Sequence, residues 1–262
     1  MADDGDCGEA VLLRRNDGGL VTLQLNRPRQ FNALSEALLA ALKGALDDIA
    51  SDDSVRCIII SGAGKAFCAG HDLKEMRADP SHSYYRKLFA QCSEVMMAIV
   101  KAPVPVIARV HGVATAAGCQ LVAACDLAIA AETTRFAVSG VNLGLFCSTP
   151  AVALSRNVSA KRAFDMLVTG RFIDAMTARD WGLINETAAE AMLDAAVAEK
   201  AAQIMSKSPA AIRYGKAMFA RQRQMPLAEA YAYAGEIMAR NMMEEDTCAG
   251  IDAFVNRRPP ER

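Results

Sequence analysis

The sequence predicts an α/β fold made of parallel strand–helix units and finished by a run of helices. Three observations point there. Strand-like and helical segments alternate through the first 190 residues, the pattern of parallel βα construction. The segment Val55-Arg56-Cys57-Ile58-Ile59-Ile60-Ser61 is a nearly unbroken apolar run, as expected of a strand buried on both faces. From about residue 190 onward no convincing strand occurs, and helical segments are punctuated by Ser208-Pro209 and Gln224-Met225-Pro226.

In chain order, an acidic start (Met1-Ala2-Asp3-Asp4-Gly5-Asp6) has no apolar core, so residues 1–10 are expected to be disordered and to form no signal peptide. Residues 11–15 and 20–25 read as strands joined at the Asn16-Asp17-Gly18-Gly19 turn. Ser35 caps a helix whose apolar residues Leu38, Leu39, Leu42, Leu46 and Ile49 follow helical spacing. The apolar strand at 55–61 is followed by further strands at 104–110 and 127–130. Helices fill 83–101, 117–124 and 148–156. The last part divides into helices at 190–206, 209–222, 226–242 and 247–257.

Composition narrows the function classes. Of 262 residues, 52% are hydrophobic, enough for one large core, and the 23% that are charged is ordinary for a soluble protein. A formal net charge of −1 gives no electrostatic case for nucleic acid or an anionic membrane as partner, and no apolar run reaches membrane-spanning length. The eight cysteines are scattered without a CxxC pair, which favours free thiols in a reducing compartment, and a cytoplasmic enzyme is the expectation. Three histidines, none in an HExxH arrangement, argue against a zinc site.

Two segments carry chemistry. One is Ala63-Gly64-Lys65-Ala66-Phe67-Cys68-Ala69-Gly70-His71-Asp72-Leu73-Lys74-Glu75-Met76. The other runs from Val104-Pro105-Val106-Ile107-Ala108 through His111-Gly112 to Ala116-Ala117-Gly118-Cys119-Gln120-Leu121 and Cys125-Asp126. Each reads as a strand, a turn of small residues and a helix start. Small residues leave backbone N–H groups uncovered, and two such groups aimed at one point make an oxyanion hole. Together the segments resemble the crotonase (enoyl-CoA hydratase/isomerase) superfamily from about residue 20 to 190 and again at 250–258.

The resemblance implies a spiral of ββα turns with two roughly perpendicular sheets over residues 11–190. It also implies a helical region at 191–262 that supports a homotrimer or a dimer of trimers. The ligand implied is an acyl-CoA, with coenzyme A as part of the substrate and no permanently bound cofactor. The backbone N–H groups of His71 and Ala117 would form the oxyanion hole for a thioester enolate. Lys65, Ala66, Ala69 and His71 lie on the stretch lining the path of the CoA. Lys74 matches a lysine near the nucleotide phosphates, and Arg257 falls where a neighbouring subunit's cation reaches the nucleotide. Arg27 and Arg29 are weaker phosphate candidates.

Family hydratases carry two glutamates for proton transfer, and here Gln120 and Gly140 stand at those positions. An amide can orient water but cannot accept a proton near neutrality, and glycine has nothing to offer. Each general acid or base contributes about 10²–10⁴-fold, so efficient hydration of a 2-enoyl thioester is not expected. Gly140 is further expected to hold a positive φ that resists larger residues. His71, Cys119, Asn142, Cys147 and Ser148 are the substitute candidates, and His71 alone titrates near neutrality without perturbation. His111 reads as structural. The readings left open are enolate chemistry on an acyl-CoA, a non-catalytic acyl-CoA binder, or a thioesterase or decarboxylase that needs mainly the oxyanion hole.

Overall fold

The structure is a computed structural model describing residues 10–256, so residues 1–9, Arg257, Pro259 and Pro260 lie outside the described residues. Strands β1 (Leu12–Asp17) and β2 (Leu20–Leu25) pair antiparallel. Their turn places Gly18 and Gly19 at φ of 59° and 91°, the geometry that two-residue hairpins require and that glycine adopts freely. Ser35 does cap helix α1 (Glu36–Ala50), its side chain accepting from the Leu38 N–H at 3.1 Å.

The remaining strands of the main sheet are β3 (Cys57–Gly62), β4 (Val106–Val110), β6 (Leu127–Ala131) and β9 (Glu186–Ala188). The sheet order is β1-β2-β3-β4-β6-β9, parallel from β2 onward. A second sheet holds β5 (Val113–Thr115), β7 (Arg135–Ala137) and β8 (Ile173–Asp174), in the order β5-β7-β8. The chain therefore alternates between sheets. β4 belongs to the first and β5 to the second, helix α4 (Ala117–Ala124) follows, and β6 and β7 repeat the pattern. This is the expected mixed α/β fold with two sheets.

Both faces of the main sheet are covered, as the unbroken apolar run at 55–61 required. On one face Ile58, Ile60, Val106 and Ala108 meet α1 and the long helix α3 (His82–Lys101). Helix α2 (Leu73–Ala78) lies between β3 and α3. On the other face Cys57, Ile59, Ile107 and Ile129 meet Leu193, Val197 and Ala201 of α8 (Leu193–Met205). Each valine, leucine or isoleucine among them, withdrawn from water, contributes about 1.5–3 kcal/mol.

Helices α5 (Ser148–Leu154), α6 (Ala160–Thr169) and α7 (Ala175–Trp181) connect the strands of the two sheets. After α8 come α9 (Pro209–Gln222), α10 (Leu227–Met242) and α11 (Glu245–Val255), close to the expected spans. α9 and α11 bury none of their residues and α10 buries only Ala230. Cationic side chains dock this region on the core instead. Lys216 donates to the Ile99 and Val104 carbonyls and to Asp126 at 2.6 Å, and Arg213 donates to the Asp53 and Val55 carbonyls.

Candidate functional site

The two turn segments meet. The would-be Cβ of Gly70 lies 3.3 Å from the Ala117 nitrogen and 3.0 Å from the Ala116 Cβ, so only a glycine lets the strands come this close. Gly118 is packed harder still, with Cys68 O at 2.1 Å from its would-be Cβ. Residues 67–69 run beside 111–115. The Thr115 N–H donates to Cys68 O and the Thr115 hydroxyl to Ala69 O, both at 3.0 Å.

Backbone pairing orients each donor. Leu34 donates to Gly70 O at 2.7 Å and accepts from the Asp72 N–H at 3.3 Å. In a parallel bridge those bonds flank His71, whose own N–H must face away from Leu34. Ala117 is the first residue of α4, where an N–H has no intrahelical partner. Its predecessor Ala116 sits at φ 49°, ψ −118°, a conformation that costs a non-glycine residue about 1–3 kcal/mol. The Ala116 N–H donates to Ala137 O at 2.9 Å, which fixes the turn against the second sheet. Among the described residues neither the His71 nor the Ala117 N–H donates to a protein acceptor. Two donors without protein acceptors thus lie on touching turns, one of them directly after the strained Ala116.

The side chains around them are neutral. Both ring nitrogens of His71 are buried without a hydrogen-bond partner, and the ring meets Phe89 edge-on at 5.5 Å. Burial pushes the His71 pKa down to about 4, against a weaker opposing pull from the Leu34 backbone. The ring is therefore uncharged at neutral pH and a poor proton acceptor. Gln120 is only 4% exposed, and its Oε1 is buried without a partner. Helical side chains lean toward their N-terminus, which brings Gln120 back toward the Ala117 N–H.

Gly140 is held for a different reason from the one expected. Its φ is not positive; its would-be Cβ lies 2.5 Å from Leu145 O and 2.7 Å from Cys147 Sγ. Close approach closes this position to any side chain. The thiols are no substitute base either. Burial raises Cys119 to about 12 and also raises Cys147. Ser148 donates to Phe146 O and Asn142 to Gly170 O, each at a long 3.4 Å. His111 accepts from Arg109 at its Nδ1 (2.9 Å) and reaches Gly64 O at 2.8 Å through Nε2, in keeping with its structural reading.

Of the residues expected to line a CoA path, Lys65, Ala69 and Lys74 are exposed on the same stretch as His71. Ala66 is buried, and its carbonyl accepts from Asn32, so only its N–H is left to offer. Arg257 lies outside the described residues. Arg27 is corrected from phosphate candidate to structural residue: it donates to Ala33 O and pairs with Asp72 at 2.9 Å in a largely buried contact.

Sequence reasoning missed the frame behind the loop. Asn32, fully buried at φ 54°, accepts from the Arg27 N–H and donates to the carbonyls of Ala63 and Ala66. Asp72 caps α2 through the N–H groups of Lys74 and Glu75. Burial opposes its ionisation, but Arg27 and those two donors together hold its carboxyl below the usual range. The signal was present in Asn26-Arg27-Pro28 and in Asp72 one residue before an apolar helix start, the pattern of an N-cap. Glu75 is also engaged, accepting from the Glu36 N–H at 3.0 Å. Both acids beside the His71 turn thus face other partners.

Known proteins are similar to this chain along most of its length. The sequence profile of the enoyl-CoA hydratase/isomerase family matches residues 15–261. The mouse protein "Enoyl-CoA hydratase domain-containing protein 3, mitochondrial" is 44% identical over 246 residues, 94% of this chain and 82% of the relative. A crystal structure described as enoyl-CoA hydratase from Mycobacterium smegmatis is 57% identical with a TM-score of 0.95, covering 97% of this chain and 99% of the other. The human enoyl-CoA hydratase domain-containing protein 3 structure is 42% identical with a TM-score of 0.93, covering 96% of this chain and all of the other.

These relatives correct the cytoplasmic expectation, because those from mouse, rat and human are named mitochondrial. Match and structural likeness agree: the chain belongs to the enoyl-CoA hydratase/isomerase family, the crotonase superfamily that its two turn segments resemble.

Proposed function

We propose that this protein binds an acyl-CoA thioester and stabilises its enolate between the backbone N–H groups of His71 and Ala117. One observation carries the reading. Two N–H groups without protein acceptors sit on turns that touch at Gly70, and the Ala116 strain persists only because the surroundings hold it. Each donor is typically worth ~3 kcal/mol in the transition state. Exposed Lys65 and Lys74 on the same stretch suit the phosphates of the nucleotide, and Arg257 is the proposed contribution from a neighbouring subunit.

Efficient hydration does not belong to this reading. Gln120 cannot take a proton from water, position 140 is sealed, and the His71 ring is neutral and weakly basic. Calorimetry with butyryl-CoA, acetoacetyl-CoA and free CoA tests the binding. Thioesters should bind more tightly than CoA itself, and no detectable binding at millimolar ligand would sink the proposal. In the same samples crotonyl-CoA hydration should run several orders of magnitude below that of relatives with both glutamates.

A further inference from the structure

We propose that the cavity between the main sheet and α8 is a second binding site, separate from the His71 and Ala117 turns, for an uncharged molecule bearing vicinal hydroxyl groups, the sugar and nucleoside class.

The sheet face under α8 changes character along its strands. Cys57, Ile59 and Ile107 pack on Leu193, Val197 and Ala201. Side chains two residues apart share a face, so Ser61 of β3 and Arg109 of β4 continue this one and make it polar. On β2, Thr22 and Gln24 follow the partly buried Leu20 in the same way. Gln24 is the register partner of Ser61, and Arg109 follows the Ile60–Ala108 pair, which brings the three level across adjacent strands. α8 does not close over this row. A cavity of about 530 Å³ lies between it and Glu190, Asp194, Val197 and Ala198. Small-molecule sites usually measure roughly 300–1,000 Å³.

Ser61 points to an occupant. It is 4% exposed and lines the cavity, and its hydroxyl has no hydrogen-bond partner among the described residues. An enclosed hydroxyl that gives up water without gaining a partner destabilises the fold, and an occupant with a matching oxygen removes that cost. The Thr22 hydroxyl and the Gln24 amide are also unpaired among the described residues. Arg109 donates from Nε to Asp194 at 2.7 Å and from Nη1 to His111 at 2.9 Å, which leaves Nη2 to offer. The other ring nitrogen of His111 is held at Gly64 O, so this ring forms wall and makes no bond to the occupant.

Charge and shape select the class. An anion entering the cavity meets the carboxylates of Glu190 and Asp194, and a cation meets Arg109, already matched to Asp194. The groups left over are two hydroxyls, an amide and a guanidinium nitrogen. Together they donate and accept at short spacing, as neighbouring hydroxyl groups require. Ile59, Val197 and Ala198 supply an apolar wall for the C–H face of a sugar or the plane of a base. The cavity shares only Ala63 and Gly64 with the stretch that carries His71, and neither Lys65 nor Lys74 lines it. It therefore stands independently of the acyl-CoA reading.

Calorimetry of the full chain with ribose, adenosine and dideoxyadenosine, which lacks both ribose hydroxyls, tests the proposal. Ribose and adenosine should bind at millimolar concentration or below, and dideoxyadenosine at least about tenfold more weakly, the loss of one or two good hydrogen bonds. Equal affinity for ribose and adenosine makes the sugar the ligand, and tighter binding of adenosine makes it the nucleoside. Ser61→Ala and Gln24→Leu should each weaken binding about fivefold, with thermal melts showing that both variants fold. No binding of either diol at millimolar concentration would overturn the proposal, as would equal affinity for dideoxyadenosine. Binding indifferent to both substitutions, or competitive displacement by butyryl-CoA, would overturn the assignment to this cavity.

Discussion

His71 shows how burial decides what a residue type can do. By type it is the one candidate that titrates near neutrality, but its ring is enclosed against Phe89 without a partner for either nitrogen. The folded ring takes its proton only near pH 4, whereas an ordinary histidine takes it near 6.5. Between those values the unfolded chain holds more protons. This contribution to stability is therefore complete above about pH 6.5 and is lost as the pH falls toward 4. The loss is on the order of 3 kcal/mol. Denaturant melts from pH 7 to 4 should show the decline, and His71→Phe, which keeps an aromatic ring and cannot protonate, should flatten it. Gly140 gives a second residue-scale prediction. Because a bare Cβ already meets Leu145 O and Cys147 Sγ, Gly140→Ala should cost about 1–3 kcal/mol in thermal or denaturant unfolding. An unchanged midpoint would show that the 140–147 loop yields freely.

Elements with long period or clear punctuation were legible in the sequence, and short ones were not. The α1 cap at Ser35, the apolar run of β3 and the proline-punctuated helices α9 and α10 all lie close to where spacing and turn residues put them. Strands β5, β7, β8 and β9, of two or three residues each, are too short for any alternation to register, and their pairing comes from tertiary contact. Helix α6 was readable and overlooked: Ser159 precedes it, and its buried Ala163, Met166 and Leu167 have helical spacing. At the site, the donor turns could be found from their small residues. The neutrality of His71 could not, since it depends on packing against Phe89, and the closure of Gly140 could not, since it depends on how the irregular 140–147 loop turns back on itself. The docking of α9 was equally hidden. Lys216, 8% exposed, serves two carbonyls and Asp126, whose carboxyl is raised by burial with Lys216 pulling the other way. Lys216→Met should cost about 1–3 kcal/mol, because it takes the donor from two carbonyls and from a partly exposed carboxylate. Urea unfolding followed by far-UV circular dichroism measures this, and a change below 1 kcal/mol would show that α9 is held by other contacts.

At the scale of the whole molecule, the C-terminal helices present Leu227, Tyr231, Met238, Met243 and Phe254 to solvent, Phe254 at 85% exposure. So much outward apolar surface fits self-association better than a monomer in water. The homotrimer or dimer of trimers proposed from the resemblance should appear by light scattering at micromolar concentration, and a stable monomer would refute it. Among the described residues the two turn segments touch at Gly70 and the His71 and Ala117 N–H groups have no protein acceptor, while the His71 ring is neutral and Asp72 and Glu75 hold other partners. Both N–H groups are proposed to donate to one thioester oxygen. The most direct test of that account is the carbonyl stretch of bound butyryl-CoA, isotope-labelled at the thioester carbon and read by difference infrared spectroscopy. Donation from both N–H groups should move the stretch to lower frequency than in water. Saturating binding with a stretch at or above its solution frequency would contradict the account.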